Sequence, residues 1–203
     1  MILRKIWGMT VAILGMSAVV SFSIAIYFYR RTMIRSKAKT ERTIKMAGTD
    51  WSRHMPFIQK RKEAMLNEKH SDEWIVSKDG LKLHATWFPQ RDCKKVVICF
   101  HGYTSQGMKD YIGLSGYYME KGYSMLLVDE RAHGESEGKY IGFGYLDRMD
   151  ALEWIKWVIE NCGNETEILL HGTSMGGATV NYLACEDMPN VKVLVEDCGL
   201  KGL

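Results

Sequence analysis

From Ile6 to Tyr29 the chain runs 24 residues without a charged side chain, IWGMTVAILGMSAVVSFSIAIYFY, and two arginines close the run. As a helix rising 1.5 Å per residue this stretch spans roughly 36 Å, enough to cross a hydrocarbon core of about 30 Å. The sequence therefore predicts a short tail over 1–5 and a transmembrane helix over 6–29. A cleavable signal peptide has a shorter apolar core followed by small residues, whereas this run ends on Tyr27, Phe28 and Tyr29 before Arg30 and Arg31. A buried core helix fits poorly with an uncapped stretch of this length that has an aromatic end and a basic stop. Basic residues crowd the carboxyl side, with Arg30, Arg31, Arg35, Lys37, Lys39, Arg42 and Lys45 against Arg4 and Lys5 on the other. The positive-inside rule then expects a single-pass protein of the cell membrane with its main body in the cytoplasm.

The charge left over bears on partners. Nine of the 27 basic residues and only one of the 24 acids lie in the first 45 positions, which leaves 18 against 23, about −5, for the rest. A body of that sign does not capture nucleic acid by electrostatics, so the bilayer and a small acyl or peptidyl substrate are the partners to expect. Residues 30–70 read as a basic connector, with apolar positions too irregular for an amphipathic helix. The five cysteines form neither a C-x-x-C pair nor a Cys/His cluster at zinc spacing, so no metal site or cofactor is expected. Their odd number suits a reducing compartment, with most of them serving as small buried residues.

From about residue 71 the pattern is that of a folded domain. EWIVS and LKLHATWF are strand-like and meet through Lys78-Asp79-Gly80, which predicts an antiparallel opening hairpin. KVVICF (95–100), YSMLLVDE (123–130), TEILLHG (166–172) and VKVLVED (191–197) are short continuous apolar runs, as expected of strands covered on both faces. Between the second and third of these runs, Tyr145, Met149, Leu152, Ile155, Ile159 and Cys162 share one helical face, and Gly163 supplies a stop. Strands alternating with helices give an α/β fold with a mostly parallel sheet, whose chemistry belongs in the loops at the strands' carboxyl ends.

The loop after TEILLHG continues Thr173-Ser174-Met175-Gly176-Gly177, a G-x-S-x-G set between a strand and the helical run ATVNYLAC. That spacing suits a nucleophile on a sharp strand-to-helix turn, with Ser174 exposed at a helix N-terminus and the Met175 N–H aimed at an oxyanion. The strand end His101-Gly102-Tyr103-Thr104 offers a second oxyanion donor, the Tyr103 N–H. Together HGYTSQ, DERAHGESEGKYIGFG and HGTSMGG resemble, in this order and spacing, the α/β-hydrolase superfamily. They are most similar to its bacterial membrane-anchored serine hydrolases with a serine aminopeptidase S33-type domain. The resemblance covers roughly residues 72–199. It implies Ser174 as nucleophile, Tyr103 and Met175 as oxyanion donors, and the His133 loop as a structural element beside the site.

One departure decides the mechanism. The triad of this fold runs Ser, then Asp or Glu, then His, yet the 29 residues after Ser174 hold Glu186, Asp187, Glu196 and Asp197 and no histidine. His171 ends the strand that carries the elbow, and His101 and His133 lie on neighbouring loops, so all three read as structural. Asp197 stands where some relatives place the acid, but an acid with no histidine to orient has no triad role. The resemblance implies further strands, helices and a lid, so residues 71–203 are expected to be a partial α/β-hydrolase domain cut after about its sixth strand. Two functions stay open: a membrane-anchored serine hydrolase acting on an ester, amide or thioester, weak or inactive as this chain, and a non-catalytic remnant or membrane-tethered binding module.

Overall fold

The computed structural model describes residues 2–35, 45–46, 49–50 and 52–199. Lys37, Lys39 and Arg42 of the basic flank lie outside the described residues. The apolar run folds into helix α1 (Ile2–Met33), of which Ile6–Met33 is long and apolar enough to cross a membrane. Its large side chains face outward, Trp7 at 75% and Phe22 at 69% exposure. Four of its hydroxyls are satisfied within the helix: Thr10, Ser17, Ser23 and Thr32 donate to the carbonyls of Ile6, Leu14, Val19 and Phe28. A polar group in hydrocarbon needs such a local acceptor.

The expected connector is more structured than its composition suggests. After a two-residue hairpin, β1 (Lys45–Met46) with β2 (Thr49–Asp50), helix α2 (Met55–Asn67) opens with a proline in its first turn. Met65 of α2 is buried against the body of the protein. This helix escapes a periodicity argument because most of its turns are solvated, and only Met65 and the half-buried Ile58 reach the body's core cluster.

The body is a six-stranded sheet of β3 (Ser71–Val76), β4 (Lys82–Phe88), β5 (Lys95–Phe100), β6 (Ser124–Val128), β7 (Glu167–Thr173) and β8 (Val191–Asp197), in the order β3-β4-β6-β5-β7-β8. β3 and β4 form the expected antiparallel hairpin, with Ser71 opposite Trp87 and Val76 opposite Lys82. Gly80 takes φ +86° in the turn, where a side chain would be strained. β4 also runs antiparallel to β6, and β6, β5, β7 and β8 are mutually parallel. Along β5 the side chains alternate. Val96, Ile98 and Phe100 join the cluster under α4 (Asp147–Cys162) and α5 (Met175–Leu183), and Val97 and Cys99 join the one under α2 and α3 (Gly107–Glu120). Covering both faces is why these strands read as unbroken apolar runs. VKVLVED is the outer strand, with Val193 and Leu194 exposed.

Two expectations change. The buried stripe of α4 is Asp147, Asp150, Ala151, Trp154, Ile155 and Val158, rotated from the expected face so that Tyr145 is exposed and Leu152 and Ile159 sit at the margin. An apolar count misses it because two of its members are carboxylates held by buried partners. The cysteines are also not mostly small buried residues, since only Cys99 of the five is buried. Cys93, before β5, and Cys162, at the end of α4, form a disulfide with Cα atoms 5.4 Å apart, while Cys185 and Cys198 are exposed. Closing a loop with a sequence separation of 69 restricts the unfolded chain, a stabilisation of about 4 kcal/mol on the chain-entropy argument.

Candidate active site

β7 ends at Thr173 and α5 begins at Met175, so the chain reverses at Ser174 alone. Ser174 has φ 54° and ψ −108°, a conformation that costs a non-glycine residue on the order of 1–3 kcal/mol and survives only where the surroundings impose it. They do so on three sides. The Ser174 N–H donates to Asp197 O at the end of β8 (2.8 Å), the Gly176 N–H to His101 O at the end of β5 (3.1 Å), and the Ala178 N–H back to Ser174 O (3.2 Å). A Cβ on Gly172 would collide with Gly176 O, and a Cβ on Gly176 with Phe100 O. The two glycines of the motif are therefore required by the approach of α5 to the strand ends, and Ser174 is left half-buried at the helix N-terminus.

The loop after β5 lies against this turn: a Cβ on Gly102 would stand 3.5 Å from Ser174 Cβ. Asp110 of α3 holds the loop, its Oδ2 accepting from the Gly102 N–H (2.8 Å) and its Oδ1 from the Ser105 hydroxyl (2.5 Å). Met175 is the first residue of α5, so its N–H has no intrahelical acceptor. The Tyr103 ring stacks on Phe143 (5.4 Å between centroids), and both pack against Ala132, Ile141 and Met175. Ser174 and Met175 from one motif and Tyr103 from another thus occupy one end of the sheet.

The histidines near this end are committed to the fold. His101 is fully buried, donates from Nδ1 to Gly102 O (2.8 Å) and accepts the Glu130 N–H at Nε2 (3.1 Å). His133 accepts the Thr104 N–H at Nε2 (3.2 Å) and donates from Nδ1 to Arg131 O (3.0 Å). Burial, and after it the neighbouring His101 ring, push His133 down to about 4, and burial lowers His101, so both rings are neutral struts. His171 sits under α3, its Nδ1 2.7 Å from Tyr118 Oη. Asp197 meets the Ser174 turn through its backbone carbonyl.

Comparison with known proteins agrees with this architecture. The model of the X-Pro dipeptidyl-peptidase (S15) family matches residues 27–203. The chain belongs to the S15 family. The matching model is thus S15, while likeness to S33-type domains rests on the motifs. This S15 chain is 26% identical to YqkD of Bacillus subtilis (strain 168), described only as uncharacterized, over 92% of its own length and 59% of YqkD's. Among solved structures it resembles the Pyrococcus furiosus esterase Pf2001, with TM-score 0.60 and 29% identity over 67% of this chain and 53% of that one. It also resembles the α/β hydrolase GrgF of Penicillium sp. sh18, with TM-score 0.56 and 25% identity over 62% and 44%. The fold is that of an α/β hydrolase, and the chain spans little more than half the length of YqkD and of the esterase.

Behind the site of the S15 chain lies a group of buried charges that motif reading did not find. Arg131 is clamped by Asp150 through two bonds of 2.7 Å and by Asp79 at 3.0 and 3.2 Å. Glu130 accepts the Thr179 hydroxyl (2.6 Å) and Asp147 the Gly144 N–H (2.7 Å), while Glu130 Oε2 and Asp147 Oδ1 are buried without a hydrogen-bond partner among the described residues. Burial, and then mutual repulsion, push Glu130 well above the usual carboxylate range. Asp147 is pushed up to about 6, chiefly by burial, against the Gly144 N–H and with Asp150 adding to the rise. The only sequence signal was the charge density of DERAHGE, which does not say which members are buried.

A carboxyl that binds its proton more tightly folded than unfolded makes stability fall as pH rises between the two values, here from about 4 to about 6. Asp147→Asn keeps an acceptor for the Gly144 N–H and cannot ionise. Its thermal midpoint in detergent should match the parent's near pH 4, exceed it increasingly through pH 6, and hold a constant advantage above about pH 7. A pH-independent difference would contradict a raised Asp147.

Proposed function

We propose that this chain is a membrane-anchored serine hydrolase acting on an ester, amide or thioester through an acyl-enzyme on Ser174. The observation that carries this reading is the strained Ser174 turn between β7 and α5, packed against the Gly102 loop. In the reaction Ser174 Oγ attacks the acyl carbonyl carbon and passes its proton to a base. The oxyanion accepts hydrogen bonds from the Tyr103 and Met175 N–H groups, and the leaving group departs with a proton. Water then attacks the acyl-serine and releases the acid and Ser174. Membership of the S15 family supports an amide, and likeness to the Pyrococcus esterase an ester.

A specific observation favours the second reading, a non-catalytic binding module: His101 and His133 have both ring nitrogens in structural bonds, and His171 is tied to Tyr118. Without a base the Ser174 hydroxyl stays protonated and is a poor nucleophile. Oxyanion donors and binding alone retain roughly 10³ to 10⁴-fold over water. The full chain should therefore hydrolyse p-nitrophenyl acetate feebly and take a fluorophosphonate slowly, at Ser174 only. His101→Ala, His133→Ala and His171→Ala should change this no more than they change folding. Robust turnover abolished by one of these substitutions in a folded protein would establish a base that this reading lacks.

The outward-facing apolar surface of α1 supports a single membrane span. Its basic carboxyl flank supports a cytoplasmic body, whereas the Cys93–Cys162 bond supports an oxidising compartment. Protease added to intact cells should leave the Ser174 domain uncut if charge sets the orientation. Cleavage from outside, with the Cys93–Cys162 pair oxidised, would reverse it.

A further inference from the structure

The carboxyl end of α1 does not simply leave the helix for solvent. Met33 O accepts the Ile141 N–H (2.9 Å), the Arg35 N–H donates to Lys139 O (2.9 Å), and Ile34 pairs with Tyr140 in an antiparallel bridge. The Arg35 guanidinium donates to Gly134 O (2.6 Å) and Ser136 O (2.5 Å). The Tyr103 hydroxyl caps the helix, within 3.1 Å of Thr32 O and 3.3 Å of Arg31 O. Residues 31–35 are thereby tied to two loops, the one after β5 that touches Ser174 and the one after β6 that packs on Met175. The carbonyls of a last helical turn have no intrahelical donors, and here the loops beside the nucleophile supply them.

Two consequences combine. If Ile6–Met33 spans the bilayer, these bonds form at its boundary, and Ser174 is then about one tyrosine side chain from that boundary. The rim has matching chemistry. Tyr140 and Tyr145 are 44% and 58% exposed, Lys139 lies over the Tyr140 ring (5.2 Å) and Arg148 over the Tyr145 ring (4.4 Å). Aromatic rings beside cations are the side chains that settle at the headgroup level of a membrane, and Tyr27 and Tyr29, exposed in the last turns of α1 next to Arg30 and Arg31, are of the same kind.

We infer that the rim of the Ser174 site is a bilayer-contact surface, clamped to the end of α1 by Arg35 and Tyr103, and that the acyl donor it admits is an ester dissolved in the membrane. The inference rests on the serine-hydrolase reading and deepens it by naming the substrate class. It makes Arg35 a positioning residue, acting through the 134–136 loop.

The test uses the full chain in phosphatidylcholine–phosphatidylglycerol vesicles, with Cys185→Ser and Cys198→Ser and the Cys93–Cys162 bond intact. A nitroxide is placed either at Tyr140→Cys on the rim or at Asn164→Cys in the α4–β7 turn, and its collisions with oxygen and with a nickel chelate are compared. The rim label should favour oxygen and the Asn164→Cys label nickel, and adding Arg35→Ala should move the rim label towards nickel. Equal nickel access at both sites overturns the contact surface whatever Ser174 does. In the same vesicles a long-chain p-nitrophenyl ester should turn over at least about tenfold faster than p-nitrophenyl acetate, the effect of burying two more methylenes. A rate no faster overturns the substrate class. No turnover of either ester, with the rim label at the boundary, overturns the hydrolase reading and its donor while the contact surface stands.

Discussion

The close approach of α5 to the ends of β5 and β7 is the constraint on which the rest of this molecule depends. It leaves no volume for a side chain at Gly172 or Gly176, and the turn is fixed by hydrogen bonds from the Ser174 N–H to Asp197 O, from the Gly176 N–H to His101 O and from the Ala178 N–H to Ser174 O. The positive end of the α5 dipole then lies at Ser174, where negative charge is favoured. The strain stored at φ 54° is offset by the packing of Met175, Ala178 and Val180 beneath it. A looser elbow would let Ser174 relax to an ordinary conformation and turn its hydroxyl away.

A second centre holds the loops that face this turn. Asp129, at the end of β6, accepts from His84 at 2.9 Å, from the Gly107 N–H at 3.3 Å and from the Glu135 N–H at 3.1 Å, so β4, α3 and the 130–138 loop meet on one carboxylate. His84 reaches on to Asp72 of β3. His84 is bound up in that arrangement, while His101 and His133 link backbone groups of the neighbouring loops. They show how a histidine-rich neighbourhood of a serine can be a frame without being a base.

Much of this was legible in the sequence. The six strands of the main sheet, the hairpin at Asp79-Gly80 and the elbow at Ser174 follow from apolar runs and glycine spacing, because β5, β6 and β7 are covered on both faces and the turn has a single steric solution, although β8 reads as a covered strand and is largely exposed. The rest depended on contacts between distant residues. The buried face of α4 carries Asp147 and Asp150, which only Arg131 and a neighbouring backbone N–H make tolerable. The Cys93 and Cys162 sulfurs meet across a sequence separation of 69, and Arg35 finds its acceptors about a hundred residues away. Neither has a local pattern. For Ser174, Tyr103 and Met175 the motifs gave the neighbourhood, while their chemical roles rest on the proposal.

The central claim is steric, and a pair of glycines tests it. A methyl group on Gly176 would meet the Phe100 carbonyl, whereas one on Gly113, in the middle of α3, meets nothing within 4 Å. Denaturant unfolding of the full chain in detergent should show Gly176→Ala less stable than the parent by about 1–3 kcal/mol, the usual cost of overpacking. Gly113→Ala should be more stable by up to about 1 kcal/mol, the difference in helix propensity. A Gly176→Ala protein as stable as Gly113→Ala would mean that α5 does not approach β5 this closely and that nothing holds Ser174 in its strained turn.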